Sequence, residues 1–150
     1  MKSFAYEDEL IVPVSLYFFR QGGVILREVR LGFCRADLVV FRPDGAVVAV
    51  ELKLADWKKA LIQVQNYQLG SDYVYVVFPE KKRLLIEQKM KAQLLEKGIG
   101  LLFVDPVTHR VSEAMRPRRS EKNFGTISLA ELKRRKKMRK RSHRKFSAIH

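Results

Sequence analysis

The chain has 150 residues, which supports one domain with a buried core, and its 47% hydrophobic content is ordinary for a globular protein. A single cysteine, Cys34, excludes an intramolecular disulfide, and the sequence has neither a signal-peptide pattern nor a membrane-length apolar run, so we expect a soluble cytoplasmic protein. The net charge is +14, and residues 121–150 hold 11 basic and two acidic side chains. This basic C-terminal tail indicates nucleic acid as the partner and no membrane.

The first predicted element is a helix over residues 4–20. Residues at spacings of three and four share one of its faces: Glu7, Leu10, Val14 and Tyr17. Pro13 interrupts this pattern, and because a proline inside a helix removes a hydrogen bond, we expect the helix to bend or break there. Residues 24–30 alternate apolar and polar side chains, as an outer strand does.

Two apolar strands joined by a tight turn form the centre of the sequence. Residues 31–41 and 46–54 are rich in β-branched and aromatic side chains, and Pro-Asp-Gly at 43–45 is typical of a turn. The second strand is apolar on both faces, which is typical of a central strand covered by helices. The antiparallel pairing predicts that Asp37 on the first strand lies close to Glu51 on the second.

These two carboxylates and Lys53 predict a catalytic site. Two carboxylates held close together repel each other unless a cation lies between them, and a small site of oxygen ligands suits Mg²⁺ or Mn²⁺. A lysine two residues from the second carboxylate is placed to orient or deprotonate a water molecule. The pattern therefore predicts phosphodiester cleavage, while a cross-strand salt bridge is the alternative for each charged residue taken alone.

The remaining elements alternate between helix and strand. A helix is predicted to start after Asp56, a good N-cap residue. It is followed by a strand, a helix, a strand and a short last strand, at residues 73–78, 81–97, 99–104 and 110–112. This order predicts an α/β fold with a mixed central sheet flanked by helices on both faces. We expect a domain over residues 1–115, followed by a basic linker and tail over residues 116–150.

The polar residues of the hairpin and the next helix resemble the motifs of a known family. Asp37, followed by Glu-Leu-Lys at 51–53, is similar to the signature of the PD-(D/E)XK nuclease superfamily. Gln63 and Tyr67 resemble the Gln-x-x-x-Tyr motif of its RecB-type exonuclease branch. Ala36 stands where the name-giving pattern has proline, which is not a ligand. The resemblance extends over residues 6–104 and implies a restriction-endonuclease-like αβββαβ core with metal-dependent nuclease activity.

The resemblance also implies a set of metal ligands. Mg²⁺, with Mn²⁺ as a substitute, would be held by the carboxylates of Asp37 and Glu51 and by the backbone carbonyl of Leu52. Members of the superfamily often add an acidic residue from the first helix. Glu7 is the better candidate because it is aligned with the apolar stripe, and Glu9 is the alternative. For Glu7 the competing interpretation is a solvated acid that favours the helix dipole.

The other catalytic assignments concern water and substrate. Lys53 would orient the attacking water, and Gln63 would hold the water or a nucleotide. Tyr67 would either pack in the core or contact phosphate. The competing interpretation of Gln63 is a side chain that is satisfied by neighbouring backbone.

DNA is the expected substrate rather than RNA, because the resemblance implies it. The residues predicted to contact nucleic acid are Tyr67, Lys58, Lys59, Arg35, Arg116, Arg118, Arg119, Lys133, Arg134 and Arg135. Two other functions stay open: a nucleic-acid-binding module of the same fold without catalysis, and a subunit of a larger DNA-processing complex. The sequence leaves open whether the protein forms a homodimer.

Overall fold

The computed structural model describes residues 2–31, 34–121, 123, 131 and 134, and places a six-stranded sheet between helices. The helices with defined bounds are α1 (Ile11–Phe19), α2 (Trp57–Tyr67) and α3 (Arg83–Lys97), and 3-10 turns at Glu7–Leu10 and Glu80–Lys82 precede α1 and α3. The strands are β1 (Val24–Leu31), β2 (Cys34–Phe41), β3 (Val47–Leu52), β4 (Tyr73–Pro79), β5 (Gly100–Val104) and β6 (Val111–Met115). None of the helices in this part of the chain is long and apolar enough to cross a membrane.

The strands lie in the sheet in the order in which they occur in the sequence, from β1 to β6. The pairs β1–β2, β2–β3 and β5–β6 are antiparallel, whereas β3–β4 and β4–β5 are parallel. Parallel neighbours need a crossover connection, and α2 and α3 supply the two crossovers. The mixed α/β fold predicted from the order of the elements is thus confirmed.

Two apolar clusters cover the two faces of the sheet. On one face the sheet packs against α2 and α3, and on the other it packs against Leu10 of the first 3-10 turn and Val14 and Phe18 of α1. All six residues of β3 are buried, as expected for a central strand with helices on both sides. The polar residues at the carboxyl end of β3 therefore lie at one end of a well-packed sheet.

The first helix differs from the prediction in how it accommodates Pro13. The chain makes a 3-10 turn up to Leu10, and the α-helix begins at Ile11, so Pro13 falls in its first turn. An amide in that turn has no intrahelical acceptor, and the missing N–H of proline costs little there. At the start of α2, Asp56 acts as the predicted N-cap, because its side chain accepts a hydrogen bond from Lys59 N at 3.2 Å.

The chain stays bound to the domain beyond the predicted boundary at residue 115. The Arg118 N–H donates to Gly98 O at 2.9 Å, and the Ser120 N–H donates to Asp72 O at 2.7 Å. The last strand, β6, also runs to Met115 rather than stopping at residue 112. The folded part of the chain thus continues at least to Ser120.

Candidate active site

Strands β2 and β3 stop pairing where the acidic residues begin. Their last paired residues are Leu38 and Val50, and continuing this register by one step places Asp37 opposite Glu51. The Leu52 N–H donates to Asp37 Oδ2 at 2.8 Å, so a side chain takes the place of a ladder bond at this point. The structure therefore brings the two carboxylates together and fixes one of them through the backbone beside the other.

Glu51 is a buried carboxylate with a lysine as its neighbour. Its exposed fraction is 2%, and that of Lys53 is 8%. Lys53 Nζ lies 3.5 Å from Glu51 Oε1. The backbone N–H of Lys53 donates to Val77 O at 3.0 Å, which keeps this residue beside β4 although β3 ends at Leu52. Both charged groups are thus held at the carboxyl end of the central strands.

Tyr67 holds the other oxygen of the Glu51 carboxylate. Its hydroxyl donates to Glu51 Oε2 and also lies 2.9 Å from Arg35 O. The tyrosine is buried in the core between α2 and the sheet, so its hydroxyl is directed at Glu51 and not at the surface. Of the two roles predicted for Tyr67, the geometry fits packing and the positioning of Glu51, and it does not present the hydroxyl to a phosphate.

Burial raises the pKa values of both carboxylates, and the charge of Asp37 raises that of Glu51 further. Desolvation, followed by the charge of Asp37, raises the pKa of Glu51 to about 7, against the opposing effects of Tyr67 and Lys53. Desolvation also raises the pKa of Asp37, which the hydrogen bond from the Leu52 N–H opposes. The negative charge at this end of the sheet is therefore incompletely balanced by the protein's own groups.

Glu7 approaches this pair from the 3-10 turn that precedes α1. Together with Asp37 and Leu52 it lines a small cavity of about 40 Å³, and its charge raises the pKa of Asp37 further after the larger effect of burial. Glu9 instead accepts a hydrogen bond from Ala5 N at 3.3 Å within its own turn. Of the two acids that the sequence left open, Glu7 is thus the one beside Asp37.

The sequence analysis missed Glu28, which lines the same cavity from β1. Continuing the β1–β2 register through Arg27–Leu38 and Val29–Ala36 places Glu28 opposite Asp37. Its φ of 52° is in the left-handed region, which is uncommon for a residue other than glycine. In the sequence it is one polar position in an alternating outer strand, so only the tertiary pairing with Asp37 identifies it.

Gln63 lies one helical turn before Tyr67 on α2. Its Oε1 atom is buried and has no hydrogen-bond partner among the described residues. Buried polar atoms are normally paired, so an orphaned amide oxygen indicates a position where a water or ligand completes the bonding. Satisfaction of this oxygen by neighbouring backbone, the competing interpretation, is not what the described residues show.

The predicted nucleic-acid contacts fall at two ends of the sheet. Arg35, Lys58 and Lys59 are exposed at the end that carries Glu51. The exposed arginines Arg116, Arg118 and Arg119 are at the other end, since their segment binds Asp72 and Gly98, which precede β4 and β5. Arg134 is exposed, and Lys133 and Arg135 lie outside the described residues.

The residues around Asp37 fit a magnesium ion by donor chemistry. No group of three or more acidic, histidine or cysteine side chains in the described part of the chain is already arranged around a metal position. Mg²⁺ does not require such a group, because it commonly binds through one or two carboxylates and keeps several waters. Asp37 and Glu51 provide two neighbouring carboxylates, and Glu7 and Leu52 line the small cavity beside Asp37.

Comparison with known proteins supports the fold but does not indicate an activity. No protein-family model matches the chain, and no curated protein is significantly similar to it. A solved structure of a protein of unknown function from Silicibacter pomeroyi is similar, with a TM-score of 0.59 and 20% sequence identity. The similarity covers 93% of this chain and 88% of the other, so the whole mixed α/β arrangement is shared.

Proposed function

We propose that the chain is a Mg²⁺-dependent nuclease that hydrolyses phosphodiester bonds of DNA. The observation that carries this proposal is the convergence of Asp37, Glu51 and Lys53 at the carboxyl end of the central strands. The two carboxylates are adjacent across the β2–β3 hairpin, and the lysine lies against the second of them. Buried charges of this kind are costly for stability, and a surplus of negative charge in a small cavity favours a functional role.

The proposed roles follow from the surroundings of each residue. Asp37, Glu51 and Glu7, with the Leu52 carbonyl, would hold Mg²⁺, which when bound supplies the charge that polarises a phosphate oxygen. Lys53 orients the attacking water, which gives up a proton to solvent as its oxygen forms the new bond to phosphorus. The ester P–O bond breaks, and the leaving oxygen takes a proton from solvent. The orphaned oxygen of Gln63 is placed to accept a hydrogen bond from water or substrate.

The motif resemblance supports the same activity. Asp37, the Glu-Leu-Lys run and the Gln-x-x-x-Tyr helix resemble the PD-(D/E)XK superfamily, and the β-β-β-α-β order of β1, β2, β3, α2 and β4 agrees with the core expected from that resemblance. Tyr67 of the helix motif contacts the glutamate of the strand motif, so the two motifs meet in space. The exposed Lys58 and Lys59 at the start of α2 provide positive charge for phosphate contacts at the same edge.

The proposal is tested by cleavage of supercoiled plasmid and single-stranded DNA with Mg²⁺, Mn²⁺ or EDTA. Wild type is expected to cleave DNA in Mg²⁺ and to be inactive in EDTA. Asp37→Asn and Lys53→Ala are each expected to lose cleavage while still binding DNA. The matched controls are Asp44→Asn in the turn at the far end of the hairpin and Lys89→Ala on α3, both exposed. Undiminished cleavage by purified Asp37→Asn would refute the assignment, and binding by wild type without cleavage in any metal would favour a non-catalytic DNA-binding module.

A further inference from the structure

The face of the sheet that packs against α1 is covered by less helix than the opposite face. Six strands spaced about 4.8 Å apart span about 24 Å, whereas a helix with its side chains is only about 10 Å wide. Within the described part of the chain, α1 is the helix on this face, and α2 and α3 share the other. A cavity of about 680 Å³ remains beside the end of α1, and its volume is in the range of ligand pockets.

This cavity lies towards the end of the sheet opposite to the candidate active site. It is lined by Val48 and Tyr73, which pair with each other at the start of β3 and β4. Glu51 is three residues further along β3, a distance of about 10 Å. The hairpin turn and the segment after β6 contribute Pro43 and Pro117 to the lining. The described residues that line the cavity include none of the candidate catalytic residues, so the cavity is a separate feature of the fold.

Aromatic side chains form one part of the lining. Tyr17, near the end of α1, is half-buried, and its ring packs edge-to-face on Phe18 with 5.1 Å between the ring centroids. Phe18 meets Tyr75 of β4 in the same way, at 5.5 Å, and Tyr73 lines the cavity from the same strand. These contacts hold the rings in place. A fixed aromatic surface of this kind binds planar groups such as a nucleobase by stacking.

Two arginines bring positive charge to the same cavity. The Cζ atom of Arg42 lies 5.1 Å from the centroid of the Tyr73 ring, and the Arg116 side chain is 90% exposed. Arg42 donates to Asp44 at 2.8 Å. Arg116 donates from its Nε to Glu113 Oε1 at 3.1 Å. Since a guanidinium carries several N–H groups in a planar fork, both arginines retain donors that can bind a phosphate.

Glu113 adds hydrogen-bond acceptors from β6. Its Oε2 accepts from the Tyr75 hydroxyl at 2.6 Å, and its Oε1 accepts from Arg116. A carboxylate has about four lone-pair sites, so acceptor positions remain on Glu113. The amino groups of adenine, cytosine and guanine are N–H donors that a carboxylate can accept from. The cavity thus combines a stacking surface, cationic donors and an acceptor, which are the three kinds of group that bind a base and its phosphate.

We propose that this cavity is a nucleotide-binding site, which holds the base against Tyr17 and the phosphate at Arg42 and Arg116. The net charge of +14 favours an anionic ligand of this kind. A free nucleotide and an unpaired nucleotide of a single strand present the same chemistry, whereas the bases of a duplex are already paired and stacked. The site shares no residue with the candidate active site, so it does not depend on the proposed nuclease function.

The experiment is an NMR titration of the isotope-labelled full chain in EDTA, which prevents metal-dependent cleavage. The probes are dAMP and a single-stranded oligodeoxyadenylate of about five nucleotides without terminal phosphates. With dAMP we expect the backbone amide signals of Gly23, Tyr73 and Glu113 to shift, because a stacked base changes the local field, while that of Glu51 stays in place. If the oligonucleotide shifts the cavity signals at lower concentration than dAMP does, the ligand is a strand. If dAMP does so at the lower concentration, the ligand is a free nucleotide.

Two pairs of variants test the residues assigned to base and phosphate. Tyr17→Leu removes the stacking ring and should weaken dAMP binding at least about fivefold. Its matched control is Phe19→Leu, because Phe19 is 67% exposed on the same helix and does not line the cavity. Arg116→Ala should weaken binding about fivefold, since an exposed phosphate contact is partly screened by solvent. Lys89→Ala on α3 removes the same charge from an exposed position elsewhere and should leave binding unchanged.

Circular dichroism melts confirm that the variants are folded, and Arg116→Ala, whose side chain is almost fully exposed, keeps the test valid if Tyr17→Leu is not. Cavity signals that stay in place up to about 10 mM dAMP, where binding with a Kd near 1 mM would be nearly complete, overturn the proposal. Losses of affinity no larger than those of the matched controls also overturn it. Absence of plasmid cleavage in Mg²⁺ would instead overturn the nuclease function and leave the titration result standing.

Discussion

Replacing Tyr67 with phenylalanine removes one hydroxyl from the interior beside Glu51, and the surroundings of that hydroxyl set the size of the effect. The hydroxyl donates to the Glu51 carboxylate, and both side chains are buried. A hydrogen bond to a charged group contributes about 1.5–3 kcal/mol, and leaving a buried acceptor unpaired costs a similar amount. In EDTA at pH about 9.5, well above the pKa of Glu51 in wild type, we expect Tyr67→Phe to lower the free energy of unfolding by about 2–3 kcal/mol.

This loss depends on pH because the hydroxyl stabilises the ionised carboxylate. Burial raises the pKa of Glu51 to about 7, so the folded state binds a proton more tightly than the unfolded state, and stability falls as the pH rises from about 4.3 to about 7. Removal of the Tyr67 hydroxyl raises the pKa of Glu51 further, so the stability continues to fall up to a higher pH. The difference between Tyr67→Phe and wild type should therefore be small below about pH 6 and should reach its full size only above the raised Glu51 pKa of the variant.

Urea denaturation at several pH values measures the effect, and Tyr75→Phe is the matched control. Tyr75 also donates to a carboxylate, Glu113 Oε2, at 2.6 Å. The Glu113 side chain is 24% exposed and is also bound by Arg116, so water and the arginine compensate for a lost donor. We expect Tyr75→Phe to cost at most about 1 kcal/mol. Equal losses for the two variants at high pH, or no loss for Tyr67→Phe, would show that the hydroxyl does not support the Glu51 charge.

Three further predictions concern metal and DNA. About 10 mM Mg²⁺ should raise the melting temperature of wild type, since a site with a Kd of about 0.1 mM gains about 2.7 kcal/mol at that concentration. Asp37→Asn should abolish the shift, and identical wild-type melts with and without metal would contradict the ligand assignment. Deleting residues 133–150 should weaken DNA binding and flatten its salt dependence, because each phosphate contact contributes about 0.7–0.9 to the slope, while cleavage at saturating DNA and low salt survives. Lys58→Glu should weaken the binding of short duplexes about tenfold, and Arg118→Glu should weaken it less. Equal effects of the two variants would contradict the placement of the substrate at the end of the sheet that carries Glu51.

The register of the hairpin was predictable because it depends on local chemistry. The turn at 43–45 closes as its residues require, with Gly45 at a φ of 88° and its N–H donating to Arg42 O at 3.0 Å. Once that turn is fixed, the period of two along each strand determines which residues face each other. The adjacency of Asp37 and Glu51 follows from these two local facts, so it could be predicted before any tertiary contact was known.

The role of Tyr67 and the extent of the domain could not be predicted in the same way. Helical spacing places Tyr67 on the inward side of α2, but the partner of its hydroxyl depends on how far α2 reaches over β3. The segment after Met115 has the composition of a linker, yet Asp72 binds it: the Asp72 carboxylate meets Arg119 at 3.2 Å and accepts from Asn123 Nδ2 at 3.1 Å. Both features depend on contacts between residues distant in sequence, which composition and periodicity do not encode.

The position of Asp72 determines how the basic tail can act in the proposed nuclease. The Asp72 N–H donates to Val47 O at the start of β3, whereas Glu51 is four residues further along the same strand. At about 3.3 Å per residue the tail therefore leaves the sheet at least about 13 Å from the candidate active site. Phosphates bound by the basic residues at this exit point would then be separate from the phosphate that is cleaved, so these residues can raise affinity for longer DNA without taking part in the chemical step. Arg116 and Arg118 lie at the end of the sheet from which the tail leaves, whereas Arg35, Lys58 and Lys59 lie at the end that carries the candidate active site.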